Sequence, residues 1–522
     1  GARGGTGFVA AVESGTFAYD DFMDSIGASG DTIMGVAGTV SGVFPAWFSS
    51  HTDAIDKRQA SARPGEPVAQ PTAPPDELDP RVVVHAPSTS RHDEPFSIGV
   101  DAPGIATLGV TVSGQDLYGR LWRWQGRLAG TGQSVDDILW AMAFTGEPDR
   151  ADLFIPPAEP WQLRIEARGG QHRSDVTRLR SATAPGVRVS EVDVDGRPGL
   201  LALPVDGNAR RAVVCFGGSE GGYDSQRATI CALASRGIVA LAYDWLDADP
   251  EAVPVAGIPL ERFATAISWL SRRPEVDSTD VAALGISRGA EGVAATLARE
   301  PDLPVGALVL LSPSSVTWQS IGDGGEIPDT SSWSYRGQSC SYAPLPSGVL
   351  MPQLISNAWH LSRDVARNKP TLLRLAPAYN AGLDTVSRHR SQTSDAVIAS
   401  ENIACPILCV SGSDDHLWPS EHMADALLGR RQTPSDAHVR YDGAGHLLRP
   451  GLYPSQVQVV GGIDLGLTPP EHRPRQGVGP VIGRALCGAG GLALSASLFG
   501  EAGGFLRPLV WGSAAALAVG GQ

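Results

Sequence analysis

The chain has 522 residues, a formal net charge of −15, 42% hydrophobic residues and 19% charged ones. That length exceeds one ordinary core, so two or more domains are expected, and the acidic balance argues against a general nucleic-acid binder. The cysteines (Cys215, Cys231, Cys340, Cys405, Cys409, Cys487) show no metal-ligand spacing, and in a chain this large reduced, buried thiols are expected rather than a disulfide framework.

Residues 1–60 mix glycine with apolar residues without strand or helix periodicity. Pro64, Pro67, Pro71, Pro74, Pro75 and Pro80 then fall among acidic residues, so 1–80 reads as an unassigned extension ending in a linker. No basic–apolar–cleavage pattern opens the sequence as given, and a cytoplasmic location is the expectation. From 81 to 204 short apolar or alternating runs recur, at Arg81–His85, Ala106–Val112, Tyr118–Trp124, Trp161–Ala167 and Val187–Val194. Separated by Gly, Pro, Asp and Ser, they predict an immunoglobulin-like β-sandwich.

From about 205 the pattern changes. Ala212–Phe216, Ile238–Ala242, Val281–Leu284, Ala307–Leu311 and Ile407–Val410 are apolar without alternation, as buried parallel strands are. Helical segments lie between or after them at Ala228–Ser235, Glu261–Ser271, Glu291–Ala298 and Glu421–Leu428. The order predicts a doubly wound, mostly parallel α/β domain over 205–455, with an insertion at about 313–395 placed above a strand carboxyl end. Residues 456–522 are rich in Gly and Ala; Val481–Gly500 and Phe505–Gly520 carry Arg484, Arg507 and Pro508, so neither is a clean membrane span. A packing module or poorly ordered tail is expected there.

Gly285-Ile286-Ser287-Arg288-Gly289 follows the run Val281–Leu284 and precedes the helix-forming Ala290–Leu297. This is the strand–turn–helix setting of a nucleophile elbow, in which small residues let the backbone turn tightly and present Ser287 outward; a glycine-rich strand exit with a capping serine is the plainer reading. A serine hydroxyl needs a base, and the base an orienting carboxylate. α/β-Hydrolases supply them in the order Ser, Asp, His. Ile407–Val410 runs into Ser411-Gly412-Ser413-Asp414-Asp415-His416-Leu417-Trp418-Pro419, and Ala437–Tyr441 into Asp442-Gly443-Ala444-Gly445-His446. The triad expected is Ser287, Asp415 and His446. Asp414 more plausibly braces its loop, and His416, adjoining the acid, is the alternative base.

After the first strand of this domain comes Gly217-Gly218-Ser219-Glu220-Gly221-Gly222. Its glycines let backbone approach a substrate oxyanion, with one N–H expected at Ser219 and the other at Arg288. The loop lacks the lysine of a phosphate-binding P-loop and the G-x-G-x-x-G spacing of a dinucleotide site. Acyl chemistry follows, without metal or redox cofactor. A scaffold role for the β-sandwich is the non-enzymatic alternative, against which the intact triad argues.

These residues resemble the type I acyl-CoA thioesterases and bile-acid-CoA:amino-acid N-acyltransferases. The resemblance rests on Gly217–Gly222, Gly285–Glu291, Ser332-Trp333-Ser334-Tyr335-Arg336-Gly337, Ile398–Glu401, Asp414–Ser420 and Gly443–His446, and more weakly on Asp137-Ile138-Leu139-Trp140-Ala141-Met142. It covers about 80–455 and implies a β-sandwich packed on an α/β-hydrolase domain, with acyl-CoA as substrate and coenzyme A as a substrate moiety. Arg363, Arg367, Lys369 and Arg374 are candidates for its phosphates, although solvated surface roles suit them equally. In that family serine at the nucleophile goes with hydrolysis and cysteine with amino-acid conjugation, so the resemblance implies a thioesterase. Transfer to an amine or alcohol, and carboxylesterase, amidase or peptidase action, are the alternatives. The Ser332–Gly337 stretch is expected to be a structural turn. Beyond about 455 no counterpart of the family's closing aromatic helix is seen.

Overall fold

Strict alternation sets the first sheet. In Thr107–Gln115 and Trp161–Gly169 every second residue is buried, so Leu108, Val110 and Val112 face the same core as Trp161, Leu163, Ile165 and Ala167. The computed structural model describes residues 68–466, apart from 73, 137, 147–153, 158–159, 206–210, 220–222, 247–254, 278–280, 322–326, 351, 354–355, 357–372, 389–393, 432, 449–452, 455–458 and 461–462. The extension before 68, the tail after 466, Asp137, Glu220, Gly221, Gly222, Arg363, Arg367, Lys369 and Cys487 therefore lie outside the described residues.

In chain order the N-terminal strands are β1 (Val83–His85), β2 (Thr89–Arg91), β3 (Ile98–Asp101), β4 (Thr107–Gln115), β5 (Leu121–Ala129), β6 (Thr131–Val135), β7 (Ala143–Phe144), β8 (Trp161–Gly169) and β9 (His172–Ser181). They form a six-stranded sheet, β2-β9-β8-β4-β5-β7, and a three-stranded one, β1-β3-β6. Ile98 and Val100 of the small sheet join Val110, Trp122 and Ile165 of the large one in one core.

The second part begins with β10 (Arg188–Val194) and β11 (Arg197–Leu203), an antiparallel hairpin turned by Asp195 and Gly196 at φ 50° and 89°. The run Val187–Val194, expected with the N-terminal strands, belongs here instead. A period-2 pattern specifies a strand but not its sheet; the tight turn delivers β10 to β11, whose Leu200, Leu201 and Ala202 are buried. There follow β12 (Ala212–Phe216), β13 (Val239–Tyr243), β14 (Ile258–Pro259), β15 (Val281–Ile286), β16 (Ala307–Leu311), β17 (Trp333–Tyr335), β18 (Gln338–Ser339), β19 (Ile407–Gly412), β20 (Ala437–Tyr441), β21 (Val459–Val460) and β22 (Ile463–Asp464). The main sheet has the order β10-β11-β13-β12-β15-β16-β19-β20, parallel from β13 onward.

Helices α1 (Arg227–Ala234), α2 (Glu261–Ser271), α3 (Arg288–Arg299), α4 (Ala376–Arg388) and α5 (Ser420–Gly429) complete it. Phe263, Val293 and Leu427 of α2, α3 and α5 pack with Val214, Ala283 and Cys409 on one face, while Ile230 and Leu233 of α1 pack with Val213, Leu284 and Val410 on the other. Burial on both faces is why these strands read as unbroken apolar runs. The result is a mixed α/β fold: a mostly parallel sheet of the α/β-hydrolase kind behind an additional N-terminal unit. The two parts interlock. Tyr453 sits in the N-terminal core, its ring 5.7 Å from that of Phe154 and its hydroxyl 3.2 Å from His92 Nδ1. Arg236, just past α1, pairs with Asp93. Among the described residues no helix is long and apolar enough to cross a membrane.

Candidate active site

The turn from β15 into α3 forces one residue out of ordinary backbone geometry. Ser287 has φ 54° and ψ −123° while its N–H still donates to Leu311 O at 3.0 Å, and its carbonyl accepts the Glu291 N–H at 3.1 Å to start the helix. For a non-glycine residue such dihedrals cost about 1–3 kcal/mol and persist only where surroundings over-determine them. The surroundings are crowded. A Cβ on Gly285 would lie 2.7 Å from Ala290 Cα, and one on Gly289 would strike the Gly217 carbonyl. That contact also locates the start of the 217–222 loop: Gly217 backs the elbow and accepts the Trp245 indole N–H at 3.0 Å. Gly218 is buried and Ser219 exposed at the loop mouth.

Ser287 does not cap α3 through its side chain. Its Oγ lies 2.8 Å from His446 Nε2, and His446 Nδ1 lies 2.9 and 3.1 Å from the two Asp415 oxygens. The carboxylate thus holds the proton on Nδ1 and leaves Nε2 to accept from the hydroxyl. Asp415 is itself fixed: Oδ1 accepts the Leu417 and Trp418 N–H groups at 3.0 and 3.2 Å, and Oδ2 accepts the Ser420 hydroxyl at 2.6 Å. The Trp418 ring meets the His446 imidazole edge-on at 5.4 Å. Ser287 and His446 are only 3% and 1% exposed, so the serine–imidazole bond is largely shielded from water.

Arg288 contributes in two directions. Its N–H lies in the first turn of α3, where amides have no intrahelical acceptor. Its side chain is buried and bonds to Glu291 Oε2 at 2.9 Å, Ser332 Oγ at 3.2 Å, Gln319 O at 3.3 Å and Tyr379 Oη at 3.2 Å. Glu291 takes two further donors, the Trp318 N–H at 2.7 Å and the Trp333 indole at 2.6 Å. Burial pushes the Glu291 carboxyl up from its ordinary value, against the opposing pull of Arg288. Burial also works against the arginine charge, but Tyr379 and Glu291 outweigh it and raise its pKa. Trp333 binds Glu291, in line with a structural part for Ser332–Gly337.

His416 points elsewhere than the alternative base would require. Its Nε2 is 3.0 Å from Asp414 Oδ1 and its Nδ1 3.0 Å from Asp464 Oδ2. Asp414 braces the loop, its N–H donating to Ala444 O at 2.9 Å. Arg374, offered for a phosphate, pairs with Asp464 at 2.9 Å. Glu291 and Ser420 lie within stretches that carry the resemblance but had no assigned role, and Tyr379 and Asp464 were not singled out from sequence. Only Glu291 carried a usable signal, because a charge amid an apolar helix start demands a partner.

A second Ser–His–Asp chain shows why geometry alone does not make a site. Ser411 Oγ is 2.8 Å from His438 Nε2, and His438 Nδ1 is 2.9 Å from Asp425 Oδ1. Ser411, however, is a fully buried residue within β19, and Asp425 also pairs with Arg440. It joins β19, β20 and α5 and presents nothing to a substrate. Among the described residues no group of three or more His, Cys, Asp or Glu could hold a metal ion.

A strained serine on a strand-to-helix turn, paired with a carboxylate-held histidine at the ends of a parallel sheet, defines a serine hydrolase. A family model described as "BAAT / Acyl-CoA thioester hydrolase C terminal" matches residues 354–462, the stretch that carries Asp415 and His446. The chain is 26% identical over 337 residues to acyl-coenzyme A thioesterase 6 of Mus musculus, covering 62% of this chain and 70% of that protein. It is 25% identical over 330 residues to the mitochondrial acyl-coenzyme A thioesterase 2 of the same species, covering 61% and 63%. With the peroxisomal succinyl-coenzyme A thioesterase of Mus musculus it shares 25% over 329 residues, covering 61% and 69%. Over residues 354–462 the chain is thus similar to the BAAT and acyl-CoA thioester hydrolase family, and over some 330 residues to acyl-CoA thioesterases.

Proposed function

We propose that the protein hydrolyses acyl-CoA thioesters through an acyl-serine intermediate, with Ser287 as nucleophile, His446 as base and Asp415 as its orienting acid. The hydrogen-bonded run from Ser287 Oγ through His446 to Asp415 carries this reading, and the thioesterase relatives supply the substrate class.

His446 takes the hydroxyl proton as Oγ attacks the thioester carbonyl. The Arg288 N–H and a backbone N–H near Ser219 hold the oxyanion, with Gly217 and Gly218 bringing the second donor close. The intermediate collapses, His446 returns its proton to the coenzyme A sulfur, and the acyl-serine forms. Water deprotonated by His446 then releases the acid. Asp415 stabilises the imidazolium and keeps its tautomer without accepting the proton.

Transfer of the acyl group to an amine or alcohol is the second reading, favoured by the burial of Ser287 and His446, since partition depends on water exclusion. Steady-state turnover of a matched acyl-CoA and oxygen ester, with and without an added amine, tests both. Thioester hydrolysis at higher kcat/KM that ignores the amine supports the proposal; amide formation at the expense of free acid supports transfer; a preference for the oxygen ester opposes both.

We further infer that the N-terminal unit is an immunoglobulin-like β-sandwich, supported by two sheets sharing one core, and that the 205–455 domain carries the chemistry together with the β10–β11 hairpin ahead of it. Buried free thiols at Cys215, Cys231, Cys340, Cys405 and Cys409 favour a reducing compartment such as the cytoplasm.

A further inference from the structure

The catalytic histidine sits on a glycine-rich loop, and a loop of that kind does not hold an imidazole to a few tenths of an ångström by itself. Both backbone groups of His446 are tied down from outside the loop. Its carbonyl accepts the Ser312 hydroxyl at 2.6 Å, and its N–H donates to Leu465 O at 2.7 Å. Leu465 belongs to a short strap, Ile463 to Gly466, that returns across the carboxyl end of the sheet.

Asp464 anchors that strap. It is 2% exposed, and its Oδ2 lies 2.9 Å from Arg374 Nε and 3.0 Å from His416 Nδ1, while Oδ1 accepts the Gly466 N–H at 3.0 Å. Its own N–H donates to Leu373 O at 2.9 Å. Gly466, at φ 104°, packs so closely that a Cβ there would strike the Asp414 carbonyl and come within 2.7 Å of Gly445 Cα. His416, whose Nδ1 lies within ion-pair distance of Asp464, directly follows Asp415, and its carbonyl accepts the Ala376 N–H at the start of α4 at 3.0 Å. One buried carboxylate therefore joins three pieces: the insertion through Leu373 and Arg374, the acid loop through His416, and the base loop through the neighbouring Leu465 carbonyl.

We infer that Asp464 is a positioning residue for the reaction, with His416 as its partner: the pair holds the Asp415 and His446 loops in register so that His446 Nε2 stays aimed at Ser287. This rests on the serine-hydrolase reading above. Asp464 and His416 touch no substrate; they act through the backbone of His446 and the loop that carries Asp415. Loss of the anchor lets the base wander, and a misplacement of about 1 Å costs on the order of 100-fold in rate.

The test measures the rate constant for phosphonylation of Ser287 by a fluorophosphonate probe, which needs the serine–histidine pair but no acyl-CoA. Wild type, Asp464→Asn, Asp464→Ala and His416→Gln are compared in the full chain. The expected result is a loss of tenfold or more in Asp464→Ala, a smaller loss in Asp464→Asn, which keeps an oxygen for the Gly466 N–H, and at least threefold in His416→Gln. The downfield proton resonance of His446 Nδ1–H should shift or broaden in step, and kcat for hydrolysis should fall with KM nearly unchanged. Asp175→Ala, in the N-terminal sheet, serves as a destabilised control whose labelling rate stays at the wild-type value. If Asp464→Ala fails to fold, the partly exposed His416→Gln decides the matter. Labelling of the folded variants within twofold of wild type overturns the positioning role alone; absence of labelling in wild type overturns the catalytic reading and the inference with it.

Discussion

The guanidinium of Arg288 and the carboxylate of Glu291 form an ion pair, Nη1 to Oε2 2.9 Å, with side chains 4% and 0% exposed, one helical turn behind the nucleophile. The residue expected to supply an oxyanion N–H is thus pinned by its own side chain. Removing one partner leaves a buried charge uncompensated, which costs about 3–5 kcal/mol. Glu291→Gln should lower the unfolding free energy by that order, whereas Arg288→Met combined with Glu291→Gln should cost less than the two single changes added. Chemical denaturation of the four proteins checks this; additive losses would show the pair to be uncoupled.

Gly289 faces the Gly217 carbonyl with no room for a side chain. Gly289→Ala must push the elbow and Gly217 apart, displacing the Arg288 N–H from the second oxyanion donor proposed near Ser219. Overpacking of this kind costs roughly 1–3 kcal/mol. The kcat loss should exceed what a stability change of that size produces, because a folded protein with a widened oxyanion site still turns over poorly. Turnover per folded molecule, measured well below the melting transition, is the readout.

Trp418 packs edge-on against His446 and Tyr379, yet its buried indole N–H has no hydrogen-bond partner among the described residues. Its contribution is therefore shape. Trp418→Phe should keep most of the packing and cost little, while Trp418→Ala should cost about 3–5 kcal/mol and loosen the imidazole. Equal losses in the two variants would mean that the N–H matters.

His92 lies buried where Tyr453 enters the N-terminal core, and burial, followed by repulsion from Arg180, pushes its pKa down from 6.5 to about 3. The unfolded chain takes up this proton below its ordinary value and the folded chain only near the lowered one. Stability present above that ordinary value is therefore eroded as the pH falls through the window, by up to about 1.4 kcal/mol per pH unit. In urea titrations at pH 7 and pH 5, His92→Gln should flatten this slope by roughly one proton's worth. An unchanged slope would place the titration elsewhere.

How much of this was legible beforehand depends on how local each signal is. The buried runs at Ala212–Phe216 and Ala307–Leu311 coincide with β12 and β16, and Glu261–Ser271 with α2, because continuous or 3.6-period burial is written in adjacent residues. The elbow, the acid loop and the Gly443–His446 loop were readable for the same reason, and the structure brings Ser287, Asp415 and His446 together. Sheet membership was not readable, so Val187–Val194 was expected in the wrong sheet. Nor were contacts made across the chain: Ser420 on Asp415, Trp333 on Glu291, and Asp464 on His416 join residues whose individual types are unremarkable. After His446, the strap Ile463 to Gly466 returns to the loop that carries it. Its four residues carry no periodicity by which to recognise them.

In the mechanism proposed, acyl groups pass through Ser287. Intact-protein mass after a short pulse with acyl-CoAs of mixed chain length, beside Ser287→Ala, tests it most directly. A transient acyl adduct on the wild type alone, decaying as free acid appears, is the predicted result. An adduct that also forms on Ser287→Ala, or coenzyme A release without any adduct dependence on Ser287, would contradict it.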